Sequence, residues 1–161
     1  MILAHPFLRQ LILATAVTTS LIASGGTLIV KNKKFIAEVA VTPQEQARGL
    51  MFRQSLPSNR CMVFLYDNDE PRPLWMKNCL IPLDVVWTDR EGRIVGLIAN
   101  IPPCPPSKGD NCPTYGDQFI ARYFVEFSSG TIARLKLKVG DRVSWDIILD
   151  DGRRVQLPKQ G

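Results

Sequence analysis

RGLMFRQSLPSNRCMVFLYDNDEPRPLWMKNCLIPLD, residues 48–84, is the stretch around which the chain is organised. It holds Met51, Met62, Trp75, Met76, Cys61 and Cys79, with Arg48, Arg53, Lys77, Asn78 and Asp84 placed among them. Within it, Met62–Tyr66 (MVFLY) is a continuous apolar run of strand length. Asp67–Pro73 is acidic and proline-bearing, which predicts a loop. Leu74, Trp75 and Met76 follow as a brief strand that Ile81-Pro82 breaks.

Working outward, Phe35–Val41 (FIAEVAV) is rich in strand formers and reads as the first strand. Thr42, Pro43 and Glu45 form a helix start: a capping hydroxyl, a proline at the first position and a capping-box glutamate. That helix is short and ends near Gly49. Downstream, Val85–Thr88 and Arg93–Ala99 flank Asp89-Arg90-Glu91-Gly92, a loop of hairpin length. Tyr123–Phe127 reads as a strand, Ser129–Leu135 as a short capped helix, and Arg142–Leu149 with Arg153–Leu157 as a hairpin across Asp150-Asp151-Gly152, where Asp-Gly suits a type I′ turn. About seven short strands and two brief helices predict a mainly β fold. A compact, partly closed antiparallel barrel removes most exposed edges and is the preferred architecture.

The chain has 161 residues, enough for one domain (35–158) with its own core and a short extra segment. Its formal charge of +5 is dispersed rather than gathered into a basic patch, which argues against nucleic acid as a partner. Residues 1–30 read as a separate unit with the layout of a secretory signal peptide: Arg9, an apolar run from Leu11 to Ala23, and Ala23-Ser24-Gly25 as a cleavage site. The alternative is a membrane anchor through residues 11–30, which carry no charge over about the 20 residues that a bilayer requires. Lys31, Lys33 and Lys34 oppose export on charge, whereas an even set of four cysteines supports an exported, periplasmic or extracellular domain.

Residues 100–117 (NIPPCPPSKGDNCPTYGD) contain five prolines and two glycines and form a long loop that Cys104 and Cys112 are placed to tie. The only histidine, His5, lies in the leader. The mature domain therefore holds no Ser-His-Asp triad, Cys-His pair or histidine-ligated zinc. No glycine-rich phosphate loop or dinucleotide fingerprint occurs, and no cofactor is indicated.

Taken together, RGLMFR (48–53), CMVF (61–64), WMKNCLIPLDVVW (75–87) and GTIARLKLKVGDRV (130–143) resemble the prokaryotic family known as domain of unknown function 192, over residues 35–146. The resemblance implies a compact β-rich domain, often preceded by a leader, and no particular reaction. Cys61 stands where that pattern usually has Gly and Cys79 where it usually has Thr, which suggests that the two face each other. The expected disulfides are therefore Cys61–Cys79 and Cys104–Cys112, worth roughly 2–4 kcal/mol for loops of this size. A reactive thiolate or a four-cysteine metal site is the alternative, and the spacings fit the latter poorly.

Three functional readings follow. The first is a non-enzymatic module that binds a small ligand or an envelope partner in a groove built from residues 48–84, through Arg48, Arg53, Trp75, Lys77, Asn78 and Asp84. The second is an envelope hydrolase using Asp84 and Lys77 as an acid–base pair. The third is Cu(I) binding by Met51, Met62 and Met76, against which stands the ordinary use of methionine to fill a small core.

Overall fold

The computed structural model describes residues 24–157. Among the described residues there are ten strands: β1 (Gly25–Val30), β2 (Lys33–Ala40), β3 (Arg60–Pro71), β4 (Leu74–Trp75), β5 (Leu83–Thr88), β6 (Ile94–Ile101), β7 (Thr114–Tyr115), β8 (Ile120–Ser128), β9 (Val143–Ile148) and β10 (Arg154–Gln156). Two short helices, α1 (Pro43–Arg48) and α2 (Thr131–Leu135), and a 3-10 turn at Pro106–Lys108 complete the fold. Eight strands form one sheet in the order β10-β9-β1-β2-β3-β8-β5-β6, and β4 pairs with β7 as a separate ribbon.

The mainly β class with two short helices is as expected, but the sheet does not close into a barrel. Its ends meet at one corner only, where Arg93 and Arg142 form an isolated bridge. Three backbone hydrogen bonds pin that corner: Ile94 N to Asp141 O, Gly140 N to Ile94 O and Val143 N to Gly92 O. All pairings are antiparallel except β2 with β3, which run parallel because α1 carries the chain across between them. Thr42 caps α1 as its sequence predicts, with Glu45 returning the bond to the Thr42 N–H.

The domain begins earlier than residue 35. β1 lies inside the sheet, between β9 and β2, and buries Leu28 and Val30. An anchor helix through residue 30 is incompatible with that strand; the remainder of the expected leader lies outside the described residues. Lys31 and Asn32 form the two-residue turn of the β1–β2 hairpin, both with positive φ as a type I′ turn requires. Lys31 pairs there with Asp141 at 2.7 Å. Among the described residues no helix is long and apolar enough to cross a membrane.

The expected loop at Asp67–Pro73 is instead the end of β3, which resumes pairing with β8 at Glu70 and Pro71 after a register shift. Its charges are met by arginines: Asp69 pairs with Arg122 at 2.7 Å and with Arg90, and Glu70 pairs with Arg72.

Side chains alternate along β3, β8 and β5 into two separate cores. One face holds Cys61, Val63, Val86, Val125 and Phe127. The other holds Met62, Phe64, Val85, Trp87 and Phe124, and it is covered by α1 and by the segments around β4 and β7. Gly116 (φ +82°) lets the end of the proline-rich loop lie against Trp87: a Cβ there would stand 2.2 Å from the indole ring.

Gly116→Ala should therefore lose stability through both strain and overpacking, by about 2 kcal/mol or more. Urea unfolding should show a lower midpoint with an unchanged slope; an unchanged midpoint would refute the account of this contact.

Candidate functional site

A cleft of about 550 Å³ opens over the second core face, between the C-terminal end of α1 and the 73–79 segment. Stacked Phe64 and Phe124, with ring centroids 4.2 Å apart, line its floor together with Leu83 and Glu126. Gly49 (φ +42°) ends α1 against Phe64, where a Cβ would stand 3.2 Å from the ring. Tyr66, Leu50, Met51, Leu74 and Met76 form the walls, and Arg48, Trp75, Lys77 and Asn78 stand around the opening.

Two backbone contacts hold the walls. Phe52 N donates to Asn78 O at 2.9 Å, across two residues that both adopt positive φ. Cys104 N donates to Cys79 O, also at 2.9 Å, fastening the proline-rich loop to the same segment. Trp75 Nε1 donates to Cys112 O at 3.0 Å, and Lys77 lies over the Trp75 ring while pairing with Asp110.

Four of the six residues proposed from sequence thus share one cleft: Arg48, Trp75, Lys77 and Asn78. Arg53 lies outside it. Its guanidinium, with that of Arg60, is bound to Glu38 at 2.5 and 3.4 Å. Burial resists ionisation of Glu38, but Arg53 and Arg60 outweigh it and hold the carboxyl below its usual range.

Asp84 also lies outside the cleft. It pairs with Phe127 across β5 and β8, so its side chain points to the first core face. There it is fully buried, and its two oxygens accept Asn100 N at 2.8 Å and Ile132 N at 2.7 Å. It holds the end of β6 and the start of α2, and it is not brought to Lys77 as an acid–base pair.

The methionines divide as well. Met51 and Met76 line the main cleft and Met62 a smaller neighbouring hollow, while Met62 and Met76 are buried in the core. Met51 Sδ is approached by Asn78 Nδ2 at 3.8 Å. No group of three or more His, Cys, Asp or Glu residues is arranged to hold a metal among the described residues.

Of the expected disulfides, Cys104–Cys112 is present. The expectation of Cys61–Cys79 is corrected: both are free, buried thiols. Cys61 pairs with Phe127 and belongs to the first core, whereas Cys79 belongs to the second, so the sheet stands between them. Burial raises both thiols, Cys79 to about 11 and Cys61 further.

Glu126 is the site residue that sequence reasoning missed. It pairs with Val85 and Met62 on the cleft face of β8 and is 3% exposed. Its Oε2 has no hydrogen-bond partner, and burial pushes the carboxyl up to about 8. An acid in the apolar run Tyr123-Phe124-Val125-Glu126-Phe127, two residues from inward-facing Phe124, was the available signal. Near neutral pH this carboxyl is largely protonated and can donate a hydrogen bond into the cleft.

No curated protein matches the chain. A protein of unknown function from Novosphingobium aromaticivorans DSM 12444 is 30% identical, with 75% of this chain and 84% of that one covered and a TM-score of 0.63. A proposed transcription regulator from Sinorhizobium meliloti 1021 is 27% identical, with 76% and 94% covered and a TM-score of 0.67. The family model described as Uncharacterized ACR matches residues 27–145, from β1 to β9. The chain therefore belongs to the domain of unknown function 192 family.

Proposed function

We propose that this is an exported, non-enzymatic domain that binds a small amphipathic molecule in the cleft between α1 and residues 73–79. The observation that carries this reading is Glu126: a buried carboxyl without a partner, among the apolar side chains of the cleft floor. A buried polar group normally finds a hydrogen bond, and an occupant with a carbonyl or other acceptor would supply one. At the opening, Arg48 is exposed and makes no ion pair among the described residues, which suits an anionic end directed outward. The Cys104–Cys112 disulfide supports the exported compartment. Asp84 is committed to two backbone N–H groups, which leaves the hydrolase reading without its acid–base pair.

1-Anilinonaphthalene-8-sulfonate, an apolar body with one anionic group, is a suitable probe. Its fluorescence should rise saturably with the folded protein. Arg48→Ala should weaken binding about two- to fivefold, the range of an exposed ion pair worth ~0.5–1 kcal/mol, while Arg53→Ala should leave it unchanged. No saturable signal, or equal losses in both variants, would overturn the proposal.

Glu126 also sets a pH dependence. Its folded-state value of about 8 lies above the usual 4.5, so between these limits the folded protein retains a proton that the unfolded chain has released. Below about pH 4.5 the group costs no stability. Between about pH 4.5 and about pH 8 stability should fall by at most ~1.4 kcal/mol per pH unit, and above about 8 it should level off. Urea midpoints of Glu126→Gln relative to the native protein should therefore increase from about pH 5 to about pH 9, and parallel profiles would show that Glu126 is not the titrating group.

A further inference from the structure

Three of the four cysteines meet where the proline-rich loop is fastened to the cleft wall. Cys104 and Cys112 are joined by a disulfide, and the free thiol Cys79 pairs with Cys104 as an isolated antiparallel bridge. Residues directly opposed across an antiparallel pair project to the same side, with Cα atoms roughly 4.5–5.5 Å apart. That lies within the span of roughly 4.4–6.8 Å that a disulfide joins. Cys79 and Cys104 are buried in one apolar cluster and Cys112 packs against it, whereas Cys61 is on the opposite face of the sheet.

We propose that Cys79, Cys104 and Cys112 form a thiol–disulfide exchange site, in which the disulfide moves from Cys104–Cys112 to Cys79–Cys104. The Cys79 thiol gives its proton to water and the resulting thiolate attacks Cys104 Sγ. The Cys104–Cys112 bond breaks, and its electron pair leaves on Cys112 Sγ, which takes a proton from solvent. One S–S bond forms as another breaks, so no oxidant or reductant is consumed.

The two forms differ in what they present. In the starting form the loop is closed on itself and Cys79 Sγ, 3.4 Å from Ile81 O, lines the cleft. In the exchanged form Cys104 is bound covalently to the cleft wall and a thiol stands on the loop at Cys112, where an external thiol or disulfide can meet it. The contacts that depend on this loop include Trp75 Nε1 to Cys112 O and the pairing of Lys77 with Asp110. Exchange at the cysteines therefore bears directly on the cleft opening.

The surroundings keep the reaction slow at neutral pH. Burial raises the Cys79 thiol and outweighs the lowering by its hydrogen bond to Ile81 O, and Glu126 adds to the rise only once it is ionised. Lys77 and Asp110, each two residues from a cysteine of the site, pair with each other. Because the thiolate is the attacking species, the rate should rise about tenfold for each pH unit below the thiol's own value.

The full chain, purified without reductant, is incubated anaerobically with N-ethylmaleimide near pH 7 and pH 8, then digested and mapped by mass spectrometry. The expected product carries the label on Cys112 and a Cys79–Cys104 linked peptide, forming about tenfold faster at the higher pH and at a rate independent of protein concentration. Label on Cys79 alone, or no label with Cys104–Cys112 retained at both pH values, would overturn the proposal, as would a rate proportional to concentration. A Cys112→Ser chain, folded by circular dichroism, provides a second measurement. It should acquire a Cys79–Cys104 disulfide under the aerobic conditions in which the native chain holds Cys104–Cys112. Persistent thiols at both positions would count against the exchange geometry.

Discussion

The three strands β3, β8 and β5 are covered on both faces, and the register between them decides what every other element can do. Asp84 stands opposite Phe127, whereas Val85 stands opposite Glu126. A slip of one residue between β5 and β8 would set Asp84 opposite Glu126 and bring both acids into one core. As built, each core contains one buried carboxyl, and the two have opposite fates. Asp84 receives two backbone N–H groups and thereby fixes α2 and the end of β6. Removing such an acceptor costs roughly 1–3 kcal/mol for each buried group left unsatisfied, so Asp84 is tied to the architecture. Glu126 receives no such bonds, and burial is answered by proton uptake instead. The carboxyl that the fold does not use is the one that faces the cleft.

The walls of that cleft rest on less than its floor. Its floor belongs to a long ladder in the middle of the sheet, but one wall is the 73–79 segment, whose only strand pairing is the two-residue β4–β7 ribbon. A ribbon of that length is not stable alone. It is retained by Trp87, on which Gly116 closes, by the bridge from Cys79 to Cys104, and by the disulfide that shortens the loop between them. Exposed pairs such as Lys77 with Asp110 contribute little in water. Opening of this wall is thus governed by the cysteines and by Trp87 packing, and it can occur while the eight-stranded sheet stays intact.

Much of this was legible before any coordinates. The capping box at Thr42 and Glu45, the short helix ending at Leu135 and the hairpins at Asp89–Gly92 and Asp150–Gly152 are local, and local chemistry reports them, although that helix has no side-chain cap and only Gly152 takes the positive φ of which a type I′ turn needs two. The gathering of Arg48, Trp75, Lys77 and Asn78 also followed from a single segment that crosses the same face twice. What failed depended on knowing which face a side chain takes. A run such as Met62–Tyr66 is apolar at every position because both faces are buried, and it therefore carries no alternation to read. Cys61 and Cys79 could not be assigned to opposite cores from it, nor could Asp84 and Glu126. β1 was hidden for a related reason: Gly25–Val30 continues an uncharged stretch from Leu11, and hydropathy alone does not separate a leader from an inner strand.

The charges around the cleft would also orient an occupant of the proposed kind. An amine directed inward would need Glu126 ionised, creating a buried ion pair whose desolvation commonly cancels its attraction. It would also have to remove a proton that the carboxyl holds up to about pH 8. A hydrogen-bond acceptor directed inward meets the protonated acid as it stands and gives a buried group its missing partner. Toward solvent the preference reverses, because Arg48 carries an uncompensated positive charge among the described residues, where an anion can remain hydrated while it pairs. Stacked Phe64 and Phe124 occupy the space between these two ends and favour an apolar body. The polarity of the proposed ligand would thus follow from which of two buried acids the sheet left without a bond.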